Sequence, residues 1–212
     1  MDNAIYIVFS ATPTKMGRMI RLATRHGYNH VSLSLSSDIQ NLYSFARHYQ
    51  TVPLYGGFVL ESILRYSSFP FQSYVKICRL PLEEDRLLCL RNELNRLWDE
   101  RDQYIYNTPA ALASLLNRNL YIPKAHTCAT FVHDILCRYH LIDDRPNECP
   151  SIRSLERLLK DSVIYEGPIQ PLAQQGRWGE DLFLTETTKS YAVYTTAVHF
   201  GRLAKRAFLG AM

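Results

Sequence analysis

Residues 126–136 read HTCATFVHDIL, and the placing of the cysteine in this stretch decides the fold. Phe131, Val132, Ile135 and Leu136, with Tyr139 beyond, share one helical face with Cys128. Pro123 and His126 argue for a loop up to that point, so the spacing predicts a helix whose first turn holds the thiol. There, N–H groups without intrahelical partners and the positive end of the helix dipole favour a thiolate, and the same groups can hold an oxyanion. The same pattern also fits a core cysteine, because cysteine is among the most buried residue types.

A base must come from elsewhere among the seven histidines. His26, His48, His140 and His199 stand in polar or mixed surroundings and read as surface residues. His133 lies on another face of the cysteine helix, and His126 is only two residues from Cys128. His30 differs, because it opens a stretch in which Val31, Leu33 and Leu35 alternate with Ser32 and Ser34, the pattern of a strand. A histidine fixed at a strand start opposite a helix-borne cysteine pairs a base with a nucleophile. If the hairpin over residues 30–47 turns around Asp38, the residue facing His30 falls near positions 44–46. Ser44 is the polar candidate there to orient the ring, with Glu61 in reserve.

Outward from this pair, AIYIVFS (4–10), SYVKICRLPL (73–82) and SVIYEG (162–167) read as further strands. Helices are expected after Thr14 as N-cap with Gly27 as the stop, over 83–101, over PAALASLLNRNL (109–120), and over SIRSLERLLK with Ser151 as N-cap. The glycine pair of YGGFV (55–59) predicts a bend. Without a regular βαβ alternation, the fold class is α+β, with an antiparallel sheet packed against helices. The chain divides into a catalytic domain, 1–171, and a C-terminal helical extension, 172–212. A polar link, AQQGRWGED, leads in the latter to a long helix from about Glu180.

The 212 residues suffice for a sizeable core, and a net charge of +4 without a basic stripe argues against nucleic acid as a partner. No apolar run is long enough to span a bilayer, and the N-terminus has no basic leader. The five irregularly spaced cysteines read as reduced thiols of a cytoplasmic protein. His133, Cys137 and His140, with Cys149, are zinc ligands by type, but their spacing fits no familiar zinc pattern, so neither metal nor cofactor is expected.

The order of YNHVSLSL, NLYSFAR, QYIYN, TCATFVHDIL and VIYEG resembles the permuted NlpC/P60 families, papain-like cysteine hydrolases whose histidine-bearing strands precede the cysteine helix. The resemblance covers about residues 4–170. It implies a cysteine peptidase or amidase with Cys128 as nucleophile and His30 as general base. Tyr106, ahead of Tyr104, would stand near the oxyanion. It points to Ser44 as third polar residue, although a serine departs from the family pattern. The implied partner is a peptide, amide or acyl substrate. Two alternatives are an acyltransferase or thioesterase on lipid or acylated substrates, and a binding module that has lost catalysis. The resemblance does not reach the C-terminal helix. Its apolar residues and Arg202, Lys205 and Arg206 suit self-association or contact with a membrane surface.

Overall fold

The computed structural model describes residues 3–12, 14–62, 64–67, 73–114, 118–143, 149–169 and 181–209. The polar link before Asp181 lies outside the described residues. The strands are β1 (Ala4–Ala11), β2 (His30–Ser34), β3 (Asn41–Arg47), β4 (Gly56–Ser62), β5 (Tyr74–Pro81), β6 (Ile105–Tyr106), β7 (Ala125–His126) and β8 (Val163–Pro168). They form one eight-stranded sheet in the order β7-β6-β4-β3-β2-β1-β5-β8. Every pairing is antiparallel except the short parallel contact of β6 with β7, so the fold is α+β with a mixed sheet.

The β1 strand is apolar at every position but Ser10 because it is covered on both faces. Ile5, Ile7 and Phe9 join Val31, Leu33, Phe45 and Phe58 beneath the helices α3 (Glu84–Asp99), α5 (Cys128–Arg138) and α6 (Ile152–Leu158). Tyr6 and Val8 face the opposite side, against Tyr66 of the short α2 (Leu64–Ser67), Ile39 and Ile169. Leu90 and Leu94 of α3 are fully buried. Each such side chain contributes about 2 kcal/mol of hydrophobic stabilisation.

Thr14 caps α1 (Lys15–Thr24) through a bond from the Gly17 N–H, but the helix does not run on to Gly27. Arg25 takes the left-handed stop position, and its N–H returns to the Arg21 carbonyl. Ser151 caps α6 in a capping box with Ser154. After Asn107, α4 spans Thr108–Ala113, shorter than the apolar spacing suggests.

The glycine pair is a second departure from the sequence reading. Gly56 and Gly57 sit within β4, fully paired to β3, and make no bend. Their role is close approach: a Cβ on Gly56 would stand 2.4 Å from the Ala46 carbonyl oxygen, and one on Gly57 would stand 2.5 Å from that of Tyr104. Backbones pressed this close on either side of β4 draw β6, and with it Tyr106, in towards β3.

The C-terminal helix α7 spans Lys189–Leu209, starting later than Glu180, after a single 3-10 turn at Leu182–Leu184. Thr195, His199 and Leu203 are its buried face, and Leu203 packs with Ile105, Ile122 and Ala125. Arg206 donates to the carbonyls of Lys124 and Gln103 at 3.0 and 2.7 Å. Val193, Tyr194 and Phe208 remain exposed on its outer side.

Gly57→Ala is expected to destabilise the fold by about 1–3 kcal/mol, because the clash is with backbone and cannot be relieved by a rotamer change. Urea unfolding of the two proteins checks this, and equal midpoints would show that β6 yields without strain.

Candidate active site

Thr127 opens α5 with a reciprocal cap: its hydroxyl accepts from the Thr130 N–H, and the Thr130 hydroxyl accepts from the Thr127 N–H. The first backbone bond of this turn runs from Phe131 N to the Thr127 carbonyl. The N–H groups of Cys128 and Ala129 are therefore left without an intrahelical acceptor. Cys128 is the first helical residue, as its spacing predicts, and its thiol is mostly buried.

His30 is the first residue of β2. Leu33 pairs with Tyr43, and that register carried back sets His30 opposite Ala46, within the 44–46 window expected of the hairpin. Ser44 comes within 3.2 Å of His30 Nε2. The closer partner is Glu61, whose Oε1 lies 2.7 Å from the same nitrogen. An Nε2–H shared between the two favours the carboxylate. The Ser44 hydroxyl is left as a second acceptor, with its own proton directed at the Val31 carbonyl 3.4 Å away. Sequence reasoning ranked these two in the opposite order.

Glu61 is only 1% exposed. A carboxylate so far from water must be paired, and besides His30 it accepts a hydrogen bond from the Tyr66 hydroxyl. Burial alone would raise the Glu61 pKa, yet the charge and hydrogen bond of His30, the nearby Arg65 charge and the Tyr66 bond together bring it down to about 2. Burial likewise pushes the His30 imidazolium down, but the Glu61 charge first, and then the charge and hydrogen bond of Cys128, push it up to about 10. Glu61 holds Nε2, so Nδ1 is the nitrogen left to meet the thiol.

Tyr106 on β6 feels the Cys128 charge. Its phenol is shifted upward by burial and then by that charge, with Arg47 opposing. It therefore stays a neutral O–H donor beside the thiol. Tyr104 instead packs its ring against Phe45 and Lys124. His30, Cys128, Glu61 and Tyr106 all border one cleft of about 680 Å³, whose other walls include Met19, Ile20, Leu54, Leu112 and Ile152.

Other histidines sit elsewhere than the sequence suggests. His199 is wholly buried, edge-on to Tyr55, and His48 is held down to about 4 by burial and then by the Arg65 charge. His26 is tied to Glu156 at 2.6 Å. His133 contacts the Cys137 sulfur at 3.7 Å, but among the described residues no group of three or more His, Cys, Asp or Glu side chains gathers around one metal position. Sequence reasoning missed Arg65, Tyr66 and Asp181, which hold Glu61 and its surroundings in place. The only signal for them was the polar pair Arg65–Tyr66 shortly after Glu61. Comparison with protein families, curated proteins and solved structures finds no match to this chain.

The two titrations set a pH window for the pair's contribution to stability. His30 is raised from 6.5 to about 10, so its share is full below 6.5 and fades as pH climbs through 10. Glu61 is lowered from 4.5 to about 2, so its share is full above 4.5 and is lost as pH falls through 2. Glu61→Gln is expected to cost about 3 kcal/mol at the plateau. The deficit should be widest between pH 4.5 and 6.5 and should narrow on both sides. Urea unfolding of both proteins across pH measures it, and a pH-independent deficit would contradict the ion pair.

Proposed function

We propose that the protein is a thiol-dependent hydrolase, a cysteine peptidase or amidase acting by acyl transfer through Cys128 and His30. The observation that carries this reading is the meeting, in one cleft, of a helix-start thiol with a histidine held by a buried carboxylate. The order of these parts is that of a papain-like, permuted NlpC/P60 fold, which we propose for the domain. The compartment belongs to the same proposal: all five cysteines are free thiols, as a reducing cytoplasm keeps them.

In the proposed mechanism the reacting pair is a Cys128 thiolate and a His30 imidazolium. His30 keeps the proton and Cys128 supplies the thiolate, which attacks the substrate carbonyl carbon and forms a C–S bond as the carbonyl electron pair moves to oxygen. The Cys128 and Ala129 N–H groups and the Tyr106 hydroxyl receive this oxyanion. Collapse breaks the bond to the leaving group, which takes the His30 proton and departs, leaving a thioester. Neutral His30 then removes a proton from water as the water attacks the thioester. A carboxylic acid leaves, and the thiolate–imidazolium pair is restored. In this scheme Glu61 is the main orienter of His30, and Ser44 assists.

The cleft favours a second reading of the substrate. Met19, Leu54 and Leu112 line it and are exposed, so an acyl chain would find apolar walls running out from the thiol. A thioesterase or acyltransferase on lipid or acylated substrates uses the same chemistry with another acceptor. A binding module without catalysis fits less well, because it gives no role to a helix-start thiol set against the histidine.

Cys128→Ala and His30→Ala are each expected to abolish acyl-enzyme formation with p-nitrophenyl esters, followed by intact-mass measurement. Glu61→Gln should slow acylation by about 100-fold and Ser44→Ala by less than about 10-fold, since a hydrogen bond to a charged partner is worth about twice a neutral one. Iodoacetamide should label Cys128 ahead of the other four thiols. Uniform labelling would end the activated-thiolate reading.

A further inference from the structure

From Asp181 onward the chain lies against the site. Asp181 sits against Arg65 in a two-point ion pair, Nε to Oδ2 at 2.5 Å and Nη2 to Oδ1 at 2.6 Å. Both side chains are withdrawn from water, at 6% and 5% exposure. Asp181 is fixed from its own side as well. It accepts from the Ser62 N–H at 2.9 Å and from the Phe183 N–H at 3.0 Å. Phe183 lies under the Arg65 guanidinium, 4.5 Å from ring centroid to cation, and its carbonyl accepts from the Gln50 N–H. These contacts anchor the C-terminal segment on strand β4 directly beside Glu61.

Arg65 is thus a buried cation paired with one carboxylate, Asp181, and close enough to a second, Glu61, for its charge to be felt there. Its charge is felt by Glu61, but its hydrogen bonds go to Asp181 and to the Arg47 carbonyl. Glu61 is committed to His30 and Tyr66. A buried guanidinium deprived of its partner takes the nearest remaining carboxylate, because an unpaired buried charge is far costlier than a rearranged one.

We propose that Asp181 is a positioning residue of the His30 site: by occupying Arg65 at two points, it keeps the guanidinium off Glu61 and leaves that carboxylate to the histidine. The C-terminal segment then belongs to the working site, contributing the residue that divides two cations between two carboxylates. The catalytic consequence rests on the Cys128–His30 reading, but the His30 titration does not. Around Arg65 stand Glu61, Asp181 and Tyr66, with the charge of Arg47 and the neutral His48 also in reach. Around His30 stand Glu61, Ser44 and Cys128.

The test is a titration of the His30 ring protons by NMR in the full chain, with the rate of Cys128 alkylation by iodoacetamide as a second readout. Asp181→Asn keeps the shape and removes the charge. It is expected to lower the His30 midpoint by at least about one pH unit and to slow alkylation at neutral pH by about tenfold. The double variant Arg65→Gln/Asp181→Asn removes the competitor as well, and its His30 midpoint should return to within about 0.3 unit of the parent. A purely structural ion pair predicts no such recovery. The proposal is overturned if folded Asp181→Asn titrates like the parent, or if the double variant stays displaced. If Asp181→Asn does not fold, the double variant decides alone. Should Cys128 label no faster than the other thiols in the parent, the hydrolase reading fails, while the His30 midpoints still judge the role of Asp181.

Discussion

A carboxylate shut away from water at Glu61 is the constraint around which this site is organised. Its charge survives burial because three groups from two elements converge on it: His30 from β2, and the Arg65 field and the Tyr66 hydroxyl from α2. His30 is the largest of the three, and without it the desolvation penalty is no longer offset. The β2–β3–β4 registers therefore matter beyond hydrogen bonding. A slip of one residue in β4 would turn Glu61 to the opposite face, among Phe45 and Phe131, and leave His30 without an anion.

The thiol side of the site depends on a different kind of constraint, close approach of backbone. Gly56 and Gly57 let β4 lie against its neighbours where any side chain would collide with a carbonyl oxygen. That closeness carries β6 and β7, whose parallel pairing sets Tyr106 beside His126, two residues ahead of Cys128. The Thr127–Thr130 box then fixes where the helix begins. A helix start displaced by one residue would change which N–H groups are free, and the thiol would no longer share a turn with the N–H groups proposed to hold the oxyanion.

The parts legible in the sequence were those governed by local periodicity. Cys128 at a helix start, His30 at a strand start and the Ser151 cap each follow from residues within a few positions, and the structure places each there. What escaped depends on partners distant in the chain. The glycine pair read as a bend because turn chemistry is the local meaning of Gly-Gly. Its actual cause is Tyr104, nearly fifty residues on. His199 read as a surface residue because its neighbours mix polar and apolar types, and only the packing of α7 buries it. Ser44 outranked Glu61 because hairpin register is a nearest-strand inference. Glu61 reaches His30 from one strand further, with Tyr66 and Arg65 stabilising a charge that a single strand could not keep in the interior.

The cleft has a division of character that bears on what it can hold. It is lined by charged and hydrogen-bonding groups, among them His30, Glu61, Arg65 and Tyr106, and by the apolar side chains of Met19, Ile20, Leu54, Leu112 and Ile152. An acyl donor, the proposed substrate, would align itself in such a space. Its polar carbonyl would be stabilised only beside the donors, and its apolar portion only against the apolar side chains. Reversing the substrate would strand a carbonyl among methyl groups and lay hydrocarbon against an ion pair, with both errors adding. Orientation would therefore follow from charge and hydrocarbon lining one cavity. In the proposed reaction the Glu61–His30 pair would also exclude the wrong end of the substrate from the thiol.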